Sequence, residues 1–424
     1  MRRFLLVAAI LGGCARGSET RYITIGTDAV ATVRALAATD HAELDVLEIG
    51  PDAAIVAIDD RELEALSERM HAQFDRCGGF MVHDSLADAR AVVQRDAPPV
   101  DYTLDRGDAV RAVLPTLDQG RILATIGELS AMPNRYYQST NGAAASAWLR
   151  DRWRSFSNRD DVTVELVDHG WAQKSVVLTI PGTTRASEVV VLGGHLDSIA
   201  PGGAKSAAPG ADDDASGIAT LTEVARALLA SDVRPARTIM FIAYAAEEVG
   251  LRGSQAMVKE LARRKLSPIG ALQLDMTNYQ GSDRDIWLMK DFTSAAQNAF
   301  VIQLVETYVG ATWGLDACGY ACSDHASWFR AGVPASMPFE SQMAHRNKAI
   351  HTRNDTLERS GNNAAHALKF ARLAAAYALE LGKGGLGETT ALSALPASHG
   401  WRDLALALGL GLAGLGVVRA AKRA

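Results

Sequence analysis

Apolar residues recur along this chain with two different spacings, which predict both strands and helices. Short β-branched apolar runs are typical of buried strands, whereas apolar residues three or four positions apart predict amphipathic helices. The predicted strands are 175–180, 188–192, 238–244 and 271–274, and the predicted helices are 217–229, 293–309 and 364–381. Because buried strands interleaved with helices form sheets covered on both faces, residues 101–383 are expected to adopt an α/β fold. The fold is predicted to be a three-layer sandwich with a mixed, mostly parallel central sheet covered by helices.

A smaller α/β pattern precedes this region. The predicted strands are 21–27 and 54–58, and the predicted helix is 61–74. The sequence Ala97-Pro98-Pro99 then interrupts any regular element. We therefore expect residues 15–100 to form a small α/β domain ahead of the larger one.

The first residues are typical of an export signal. Two arginines precede an apolar run over residues 4–11, which is too short to span a bilayer. The sequence Leu11-Gly12-Gly13-Cys14 resembles the lipobox of bacterial lipoproteins, in which the cysteine carries lipid after cleavage. Residues 1–14 therefore predict a signal peptide with Cys14 as a candidate for lipidation; an ordinary signal peptide is the alternative. We expect an exported protein, either extracellular or attached to the cell envelope in the periplasm or at the outer membrane.

The far end of the chain is also apolar. Residues 404–418 carry no charge and are followed by the basic residues Arg419, Lys422 and Arg423. This stretch is short for a membrane span, which needs about 17–25 residues. It loosely resembles bacterial C-terminal sorting tails, with a helix packed on the protein as the alternative. Residues 384–424 are expected to be a linker and apolar tail, so the Cys14 lipid or this tail is a candidate for membrane attachment.

Composition narrows the classes of protein. The chain has 424 residues, of which 48% are hydrophobic, so a disordered or low-complexity protein is excluded. With 43 lysines and arginines against 49 aspartates and glutamates, the net charge of −6 gives no electrostatic reason to bind nucleic acid. Cys318 and Cys322 are spaced as a candidate disulfide loop for an exported protein. Half of a zinc finger is the competing interpretation, but it lacks a second cysteine or histidine pair nearby.

Five acidic or histidine residues follow predicted strands or lie in loops. They are His195, Asp213, Glu248, Asp275 and His351. Taken singly, a histidine after a strand is more often structural, a run of aspartates is usually a turn or helix cap, and paired glutamates are usually exposed. In sheets of this kind, however, sites form at the carboxyl ends of the strands, so these side chains are expected to converge.

Convergence would bring several negative charges together. Three carboxylates, with Glu247 nearby, would repel one another and force some carboxyl groups to stay protonated. Two divalent cations would remove that repulsion, and two neutral imidazoles would add affinity without charge. Mixed nitrogen and oxygen ligands suit zinc, although cobalt or manganese could substitute. Asp197, close to His195, fits a carboxylate that fixes the tautomer of the imidazole.

These segments resemble peptidase family M28, the co-catalytic zinc aminopeptidases, and especially its secreted bacterial leucyl aminopeptidases. The similar stretches are 193–198, 209–217, 243–254, 272–279 and 318–325. The resemblance covers about residues 101–383. The stretch from His71 to Phe80 also resembles the propeptide of those enzymes. Residues 15–100 are therefore expected to be a propeptide, with a permanent accessory domain as the alternative.

The resemblance implies a two-zinc centre. His195 and Asp275 would hold one zinc ion, and Glu248 and His351 would hold the other. Asp213 would bridge the two ions and would be joined to Asp214 by a cis peptide bond. Asp214 would support the metal ligands without binding a metal ion itself.

The resemblance also implies the remaining roles. Glu247 would be the general base rather than a ligand. Cys318 and Cys322 would form a disulfide, and Tyr320 between them would help to stabilise the oxyanion. The implied activity is hydrolysis of the N-terminal peptide bond by a hydroxide that bridges the metals.

A preference for leucine or another apolar N-terminal residue follows from the family's apolar pocket for the first side chain. The matching residues are Met276, Met289, Met337 and Phe339. Plain core packing is the alternative for each member of this set, and Met343 and Arg346 stand where relatives carry aromatic residues. The expected partners are the N-termini of peptides or proteins, and the chain is expected to be a monomer.

Three other functions are possible for this fold, and a different observation distinguishes each of them from an aminopeptidase. A glutaminyl cyclase shares the architecture but uses one zinc to cyclise an N-terminal glutamine, so metal counting and a leucine-anilide assay separate the two. A carboxypeptidase of the wider clan would lack the close motif match. A binding ectodomain similar to the transferrin receptor would have lost ligands, whereas all five ligands and the base are present in this sequence.

Overall fold

The computed structural model describes residues 19–40, 44–50, 53–74, 76, 78–91 and 100–387. The predicted signal peptide with Cys14, and the tail from residue 388 onward, lie outside these residues. The described chain up to Leu386 belongs to one compact unit. Within this part of the chain, no helix combines the length and the apolar character that crossing a membrane requires.

The N-terminal segment, residues 19–91 as described, contains an antiparallel four-stranded sheet. Its strands are β1 (Thr20–Gly26), β2 (Leu44–Ile49), β3 (Ala53–Asp59) and β4 (Phe80–His83), and its helices are α1 (Val30–Asp40), α2 (Leu63–Phe74) and α3 (Leu86–Arg90). The strands lie in the order β2-β3-β1-β4. Ile23, Val56 and Leu66 are among the side chains that fill a core between the sheet and α2. The predicted strands and helix are confirmed. The elements β2, β4, α1 and α3 were not predicted, and most side chains of β2 are exposed.

A six-stranded sheet forms the centre of the larger region. The strands of this region are β5 (Thr163–Val167), β6 (Ser175–Ile180), β7 (Arg185–His195), β8 (Val233–Pro235), β9 (Arg237–Tyr244), β10 (Ser267–Gln273), β11 (Ile286–Met289), β12 (Trp313–Asp316), β13 (Ala335–Ser336), β14 (Pro338–Phe339) and β15 (Gly384–Leu386). The central sheet has the order β13-β10-β7-β9-β6-β5. The three pairs from β13 to β9 are parallel, and the two pairs from β9 to β5 are antiparallel. The prediction of a mixed, mostly parallel sheet is therefore confirmed.

Helices cover both faces of this sheet. They are α4 (Gly107–Val113), α5 (Gln119–Ser130), α6 (Thr140–Arg154), α7 (Ala215–Ala230), α8 (Arg252–Arg263), α9 (Ala295–Leu304), α10 (His325–Arg330) and α11 (Ala365–Gly382). Successive side chains of a strand point to opposite faces. Accordingly, Val190 and Leu192 of β7 pack in a core with α5, α7 and α11, whereas Val189 and Val191 pack with α8 and α10. The predicted three layers follow from this alternation.

Two short sheets extend the folded region. β11 pairs with β12 and β14, and β15 pairs with β8 in an antiparallel ladder. Gly384–Leu386 was expected to begin the linker, but its backbone pairing with β8 extends the regular structure to Leu386. The helix predicted over 293–309 is α9, continued by a π-helical turn at Val305–Val309.

The parallel strands place their following loops at one edge of the sheet. β7 ends at His195, β9 at Tyr244 and β10 at Gln273, and these three strands are neighbours that run in the same direction. The loops after them therefore emerge together, at the edge where ligands are expected in this type of fold.

Candidate metal centre

All five predicted metal ligands are buried at this carboxyl edge. His195 is the last residue of β7, while Glu248 and Asp275 follow β9 and β10. Asp213 lies in the turn that leads into α7, and His351 lies in the loop before α11. The structure thus brings together residues that lie up to 156 positions apart in the chain.

Asp213 lies between two histidine–carboxylate groups. Its Oδ1 is 2.9 Å from His195 Nε2, and its Oδ2 is 3.0 Å from His351 Nε2. On the first side, His195 Nε2 is 3.7 Å from Asp275 Oδ1. On the second side, His351 Nε2 is 3.4 Å from Glu248 Oε2. Each oxygen of one carboxylate faces a different histidine, an arrangement that suits a carboxylate shared by two cations.

Glu247 is fully buried beside these groups. Among the described residues, neither of its carboxylate oxygens has a hydrogen-bond partner. Burial, reinforced by the carboxylates of Asp324 and Asp275, raises the pKa of Glu247 well above its usual value. Its side chain is therefore suited to accept and hold a proton, which is what a general base must do.

Asp197 holds the loop that carries the two glutamates. Its Oδ1 and Oδ2 accept the backbone N–H groups of Glu247 and Glu248, each at 3.1 Å. His195 Nδ1 lies 3.1 Å from the backbone carbonyl oxygen of Asp197 and 3.5 Å from its Oδ1. Since a carbonyl only accepts, Nδ1 carries a hydrogen, which leaves Nε2 as the ring nitrogen that faces Asp213 and would bind a metal ion. The backbone of Asp197 thus shares the role in fixing the tautomer that was expected of its carboxylate.

Asp214 ties three parts of the site together. The peptide bond between Asp213 and Asp214 is cis, as the resemblance implies. Its Oδ2 accepts the N–H of His195 at 3.0 Å. Its Oδ1 accepts the N–H groups of Gly217 at 2.9 Å and Met276 at 3.2 Å. One buried carboxylate therefore fixes the end of β7, the start of α7 and the loop after β10.

Asp355 supports the shared carboxylate and was not predicted. Its Oδ2 accepts the N–H of Asp213 at 3.0 Å, and its Oδ1 accepts a hydrogen bond from Asn347 at 3.0 Å. Burial and the neighbouring Asp212 raise the pKa of Asp355 above its usual value. No strand end or motif marks Asp355 in the sequence. The one signal that could have identified it is its position four residues after His351.

The hydrogen bonding of the buried carboxylates shows whether the site is suited to a cation. In the described part of the chain, Glu248 Oε1 and Asp275 Oδ1 are buried without hydrogen-bond partners, although buried polar atoms are normally paired. Burial, with Asp213 and Glu247 beside it, raises the pKa of Glu248 well above its usual value. Burial alone would lower the pKa of His195, but the carboxylates of Asp275 and Glu247 raise it well above the usual value. The residues therefore fit divalent cations, and their mixed nitrogen and oxygen atoms suit zinc.

The four residues predicted for the substrate pocket share one buried apolar cluster. They are Met276, Met289, Met337 and Phe339, each at most 2% exposed. Trp287 and Ile350, which were not predicted, belong to the same cluster. Met276 directly follows Asp275, and Ile350 directly precedes His351, so the cluster adjoins both histidine–carboxylate groups.

Cys318 and Cys322 form a disulfide, as the resemblance implies. Tyr320 between them packs at the edge of the apolar cluster. The guanidinium of Arg76 lies 4.7 Å from the centre of the Tyr320 ring. Since Arg76 belongs to the N-terminal segment, that segment contacts the residue expected to stabilise the oxyanion.

His71 of α2 also lies in the site, although no role there was predicted for it. Its Nε2 is 3.1 Å from Glu248 Oε2, and its ring centre is 4.2 Å from that of His351. Burial and the neighbouring His351 lower the pKa of His71 well below its usual value. The ligand atoms of His71, Glu248 and His351 lie within 4.8 Å of one another. The available signal was the position of His71 in the stretch that resembles propeptides.

The sequence and the fold of this chain are similar to those of known peptidases. The sequence profile of peptidase family M28 matches residues 175–377. A probable leucine aminopeptidase of Arthroderma otae is 32% identical over 321 residues, which cover 74% of this chain and 88% of that relative. Leucine aminopeptidase 1 of Metarhizium robertsii is 36% identical over 289 residues, which cover 65% and 72% of the two chains. The chain is a peptide-bond hydrolase and belongs to peptidase family M28.

Solved structures extend the similarity. LapB of Legionella pneumophila has a TM-score of 0.74 at 28% identity, covering 86% of this chain and 100% of LapB. Because residues 101–424 make up about three quarters of the chain, this match includes part of the N-terminal segment. A glutaminyl cyclase of Porphyromonas gingivalis shares the fold, with a TM-score of 0.50 at 14% identity over 62% of this chain and 98% of the cyclase.

Proposed function

We propose that this M28 hydrolase is a zinc-dependent aminopeptidase that removes the N-terminal residue of peptides. The observation that carries the proposal is Asp213, whose two oxygens face His195 on one side and His351 on the other. Two zinc ions would be held by two groups that share this aspartate, with Asp275 completing the first and Glu248 the second. The aminopeptidases among its relatives support the reaction class.

The proposed mechanism assigns the proton transfers to Glu247. Bound zinc would polarise the carbonyl of the scissile bond and lower the pKa of a bound water. Glu247 takes a proton from the attacking water at a carboxylate oxygen and passes it to the departing amine. The raised pKa of Glu247 favours its holding the proton between the two transfers. Tyr320 donates a hydrogen bond to the developing oxyanion.

The proposed substrates are peptides or proteins with an apolar N-terminal residue such as leucine. Support comes from the apolar cluster that adjoins the ligand groups, which is rich in methionine. Methionine is flexible enough to reshape around different apolar side chains. Met276 and Met289 are the members with which we expect the first side chain to pack.

We also propose that the protein is exported and that residues 15–100 are a propeptide. The apolar run over residues 4–11 supports export. Two contacts of the N-terminal segment support a blocking role: His71 reaches Glu248, and Arg76 covers Tyr320. In this proposal the zinc aminopeptidase domain, residues 101–383, becomes accessible to peptides when the segment is removed.

A panel of aminoacyl-p-nitroanilides tests the reaction class. We expect release that is fastest for leucine, methionine or phenylalanine, and at least about tenfold slower for glutamate, because the pocket is apolar. Removal of zinc by 1,10-phenanthroline should abolish release, and added zinc should restore it. N-acetyl-leucine p-nitroanilide is the control and should resist cleavage. If no residue is released in a chelator-sensitive way, the proposal fails; cyclisation of N-terminal glutamine without hydrolysis would favour a cyclase.

Limited proteolysis between the N-terminal segment and residue 101 tests whether this segment is a propeptide that blocks the site. Hydrolysis of leucine p-nitroanilide should rise by at least about tenfold, which corresponds to a net docking free energy of about 1.4 kcal/mol. Mass spectrometry identifies the cut, and a mock-digested sample is the control. A full-length protein as active as the cut protein would show that the segment does not block the site.

A further inference from the structure

One face of helix α2 is directed at the metal centre. Its apolar stripe, which includes Leu66 and Met70, packs into the core of the N-terminal segment. Its other stripe has the spacing i, i+3, i+4, i+7, so these residues share one side of the helix. They are Glu64, Ser67, Glu68 and His71. The helix therefore uses one stripe to hold its own domain and the other to contact the larger region.

Several contacts fix the N-terminal segment against the loops that follow β7 and β9, the second of which carries Glu248. Ser67 Oγ donates to the backbone carbonyl of Glu248 at 2.7 Å, and Glu68 Oε1 accepts the N–H of Gly202 at 2.9 Å. The backbone of β4 joins the same loop, because the Val82 N–H donates to the Gly250 carbonyl at 3.2 Å. The segment is thus anchored by backbone atoms beside the candidate ligand.

A glycine allows the backbone of the N-terminal segment to approach the loop that carries Glu248. Gly78 has a φ of +44°, and a Cβ at this position would lie 3.1 Å from the backbone nitrogen of Gly250 and 3.3 Å from the carbonyl oxygen of Glu248. A larger residue would push the two backbones apart. The turn after α2 is therefore shaped to bring His71 up to the Glu248 loop.

The hydrogen bonds of His71 determine which ring nitrogen faces the site. Nδ1 lies 2.6 Å from the backbone carbonyl oxygen of Ser67, which can only accept, so Nδ1 carries a hydrogen. Nε2 then presents a lone pair and accepts a weak hydrogen bond from the Gly78 N–H at 3.4 Å. That lone pair faces a carboxylate oxygen of Glu248 at 3.1 Å. A cation bound by both atoms would account for this contact, and the atoms of His71, Glu248 and His351 lie close enough together to share one.

His195 is presented to the centre in the same way. In both histidines Nδ1 points to a backbone carbonyl and Nε2 points to a carboxylate of the cluster. A hydrogen bond from the second ring nitrogen is the usual means of orienting a metal-binding histidine. The environment of His71 therefore matches that of a proposed zinc ligand, although His71 comes from a different domain.

We propose that His71 is a ligand, supplied by the N-terminal segment, to the ion held by Glu248 and His351. The proposal rests on the two-metal site of the proposed function and goes beyond it, because it makes His71 a third metal-binding histidine in the full-length protein. Its neutral ring nitrogen offers the same donor chemistry as the uncharged amine of a substrate N-terminus. His71 would therefore occupy a coordination position on this ion that such an amine could otherwise take, and the segment would inhibit by coordination as well as by covering the site.

X-ray absorption spectroscopy of the zinc-loaded, full-length wild-type protein tests the ligand count. We expect three imidazoles shared between two zinc ions, from His71, His195 and His351. Two imidazoles for two ions would overturn the proposal. This measurement needs no variant and no substrate, so it does not depend on the stability of an altered protein or on turnover.

A second test uses His71→Ala in the full chain, with His83→Ala as the matched control. His83 is also a buried histidine of the N-terminal segment, but its ring bonds Thr24 Oγ1 at 3.0 Å within that segment. Competition with a chromophoric chelator should show at least about tenfold weaker zinc binding at one of two sites in His71→Ala, since even partners outside the coordination shell contribute 10–100-fold. The control should bind zinc as the wild type does. Equal zinc affinity in His71→Ala and wild type would overturn the proposal.

Because zinc binding is measured apart from hydrolysis, a failure of this inference can be distinguished from a failure of the proposed function. Zinc binding that depends on His71, in a protein that hydrolyses no aminoacyl anilide after proteolysis, would support the ligand and overturn the aminopeptidase. Chelator-sensitive hydrolysis combined with His71-independent zinc binding would do the reverse.

Discussion

Replacing Glu247 by glutamine should reduce the hydrolysis of leucine p-nitroanilide by a factor of about 100 or more while both metal sites stay loaded. Glutamine keeps the shape of the buried side chain but cannot accept a proton from water. Glu247 lies outside the two groups whose atoms fit a metal ion in the described residues. The expected result is therefore a protein with normal zinc content and very low turnover, measured by metal analysis and initial rates on proteolytically cut enzyme.

The adjacent Glu248 provides a matched control for this variant. Both glutamates are buried, and both receive the same support from Asp197 through their backbone N–H groups. Glu248→Gln should lose zinc as well as activity, because its side chain lies among the ligand atoms. Near-normal turnover in Glu247→Gln would reject this residue as the general base, and loss of zinc in that variant would show that it is a ligand.

Asp213→Ala should lose bound zinc and reduce activity to the level of the chelated enzyme. Each of its two oxygens faces a different histidine, so the substitution removes one ligand from both groups together. Removing a carboxylate also leaves the remaining charges unable to neutralise two divalent ions. Equilibrium dialysis followed by metal analysis should find fewer than two ions per chain at a zinc concentration that saturates the wild type.

Two further variants make the Asp213 result specific. Asp213→Asn keeps the size of the side chain but offers a single neutral oxygen, so it should also lose zinc. Asp168→Ala removes an exposed aspartate that pairs with Lys174 at the surface, and it should bind zinc as the wild type does. Two equivalents of tightly bound zinc in Asp213→Ala would contradict the shared-ligand arrangement, provided that circular dichroism shows a folded protein.

The four inner strands of the central sheet could be predicted because they are largely buried on both faces, whereas β5 and β13 at its edges were not predicted. β7 and β9 contain continuous apolar runs, which stand out from the surrounding helices without any alignment. The candidate ligands His195, Glu248 and Asp275 could be predicted for the same reason, since the ends of parallel strands meet at one edge. Their placement is confirmed by the structure, while their roles remain predictions.

Other parts of the site could not be predicted from local patterns. Asp355 supports Asp213 through a hydrogen bond to its backbone, and nothing in the neighbouring residues marks a side chain that binds a distant N–H group. The contact between His71 and Glu248 joins residues 177 positions apart and depends on how one folded sheet docks on another. Periodicity describes which face of α2 is apolar, but it does not say what the polar face will meet.

The two oxygens of Asp197 have a consequence for how the centre can change. They hold the backbone N–H groups of Glu247 and Glu248 separately, so the proposed proton acceptor and the proposed ligand share one anchor. A displacement of Glu248, such as one caused by exchanging its metal or releasing His71, would be transmitted through that anchor to Glu247. In the proposed mechanism, metal binding and proton transfer would therefore be mechanically linked, and a substitution at Asp197 would disturb both at once.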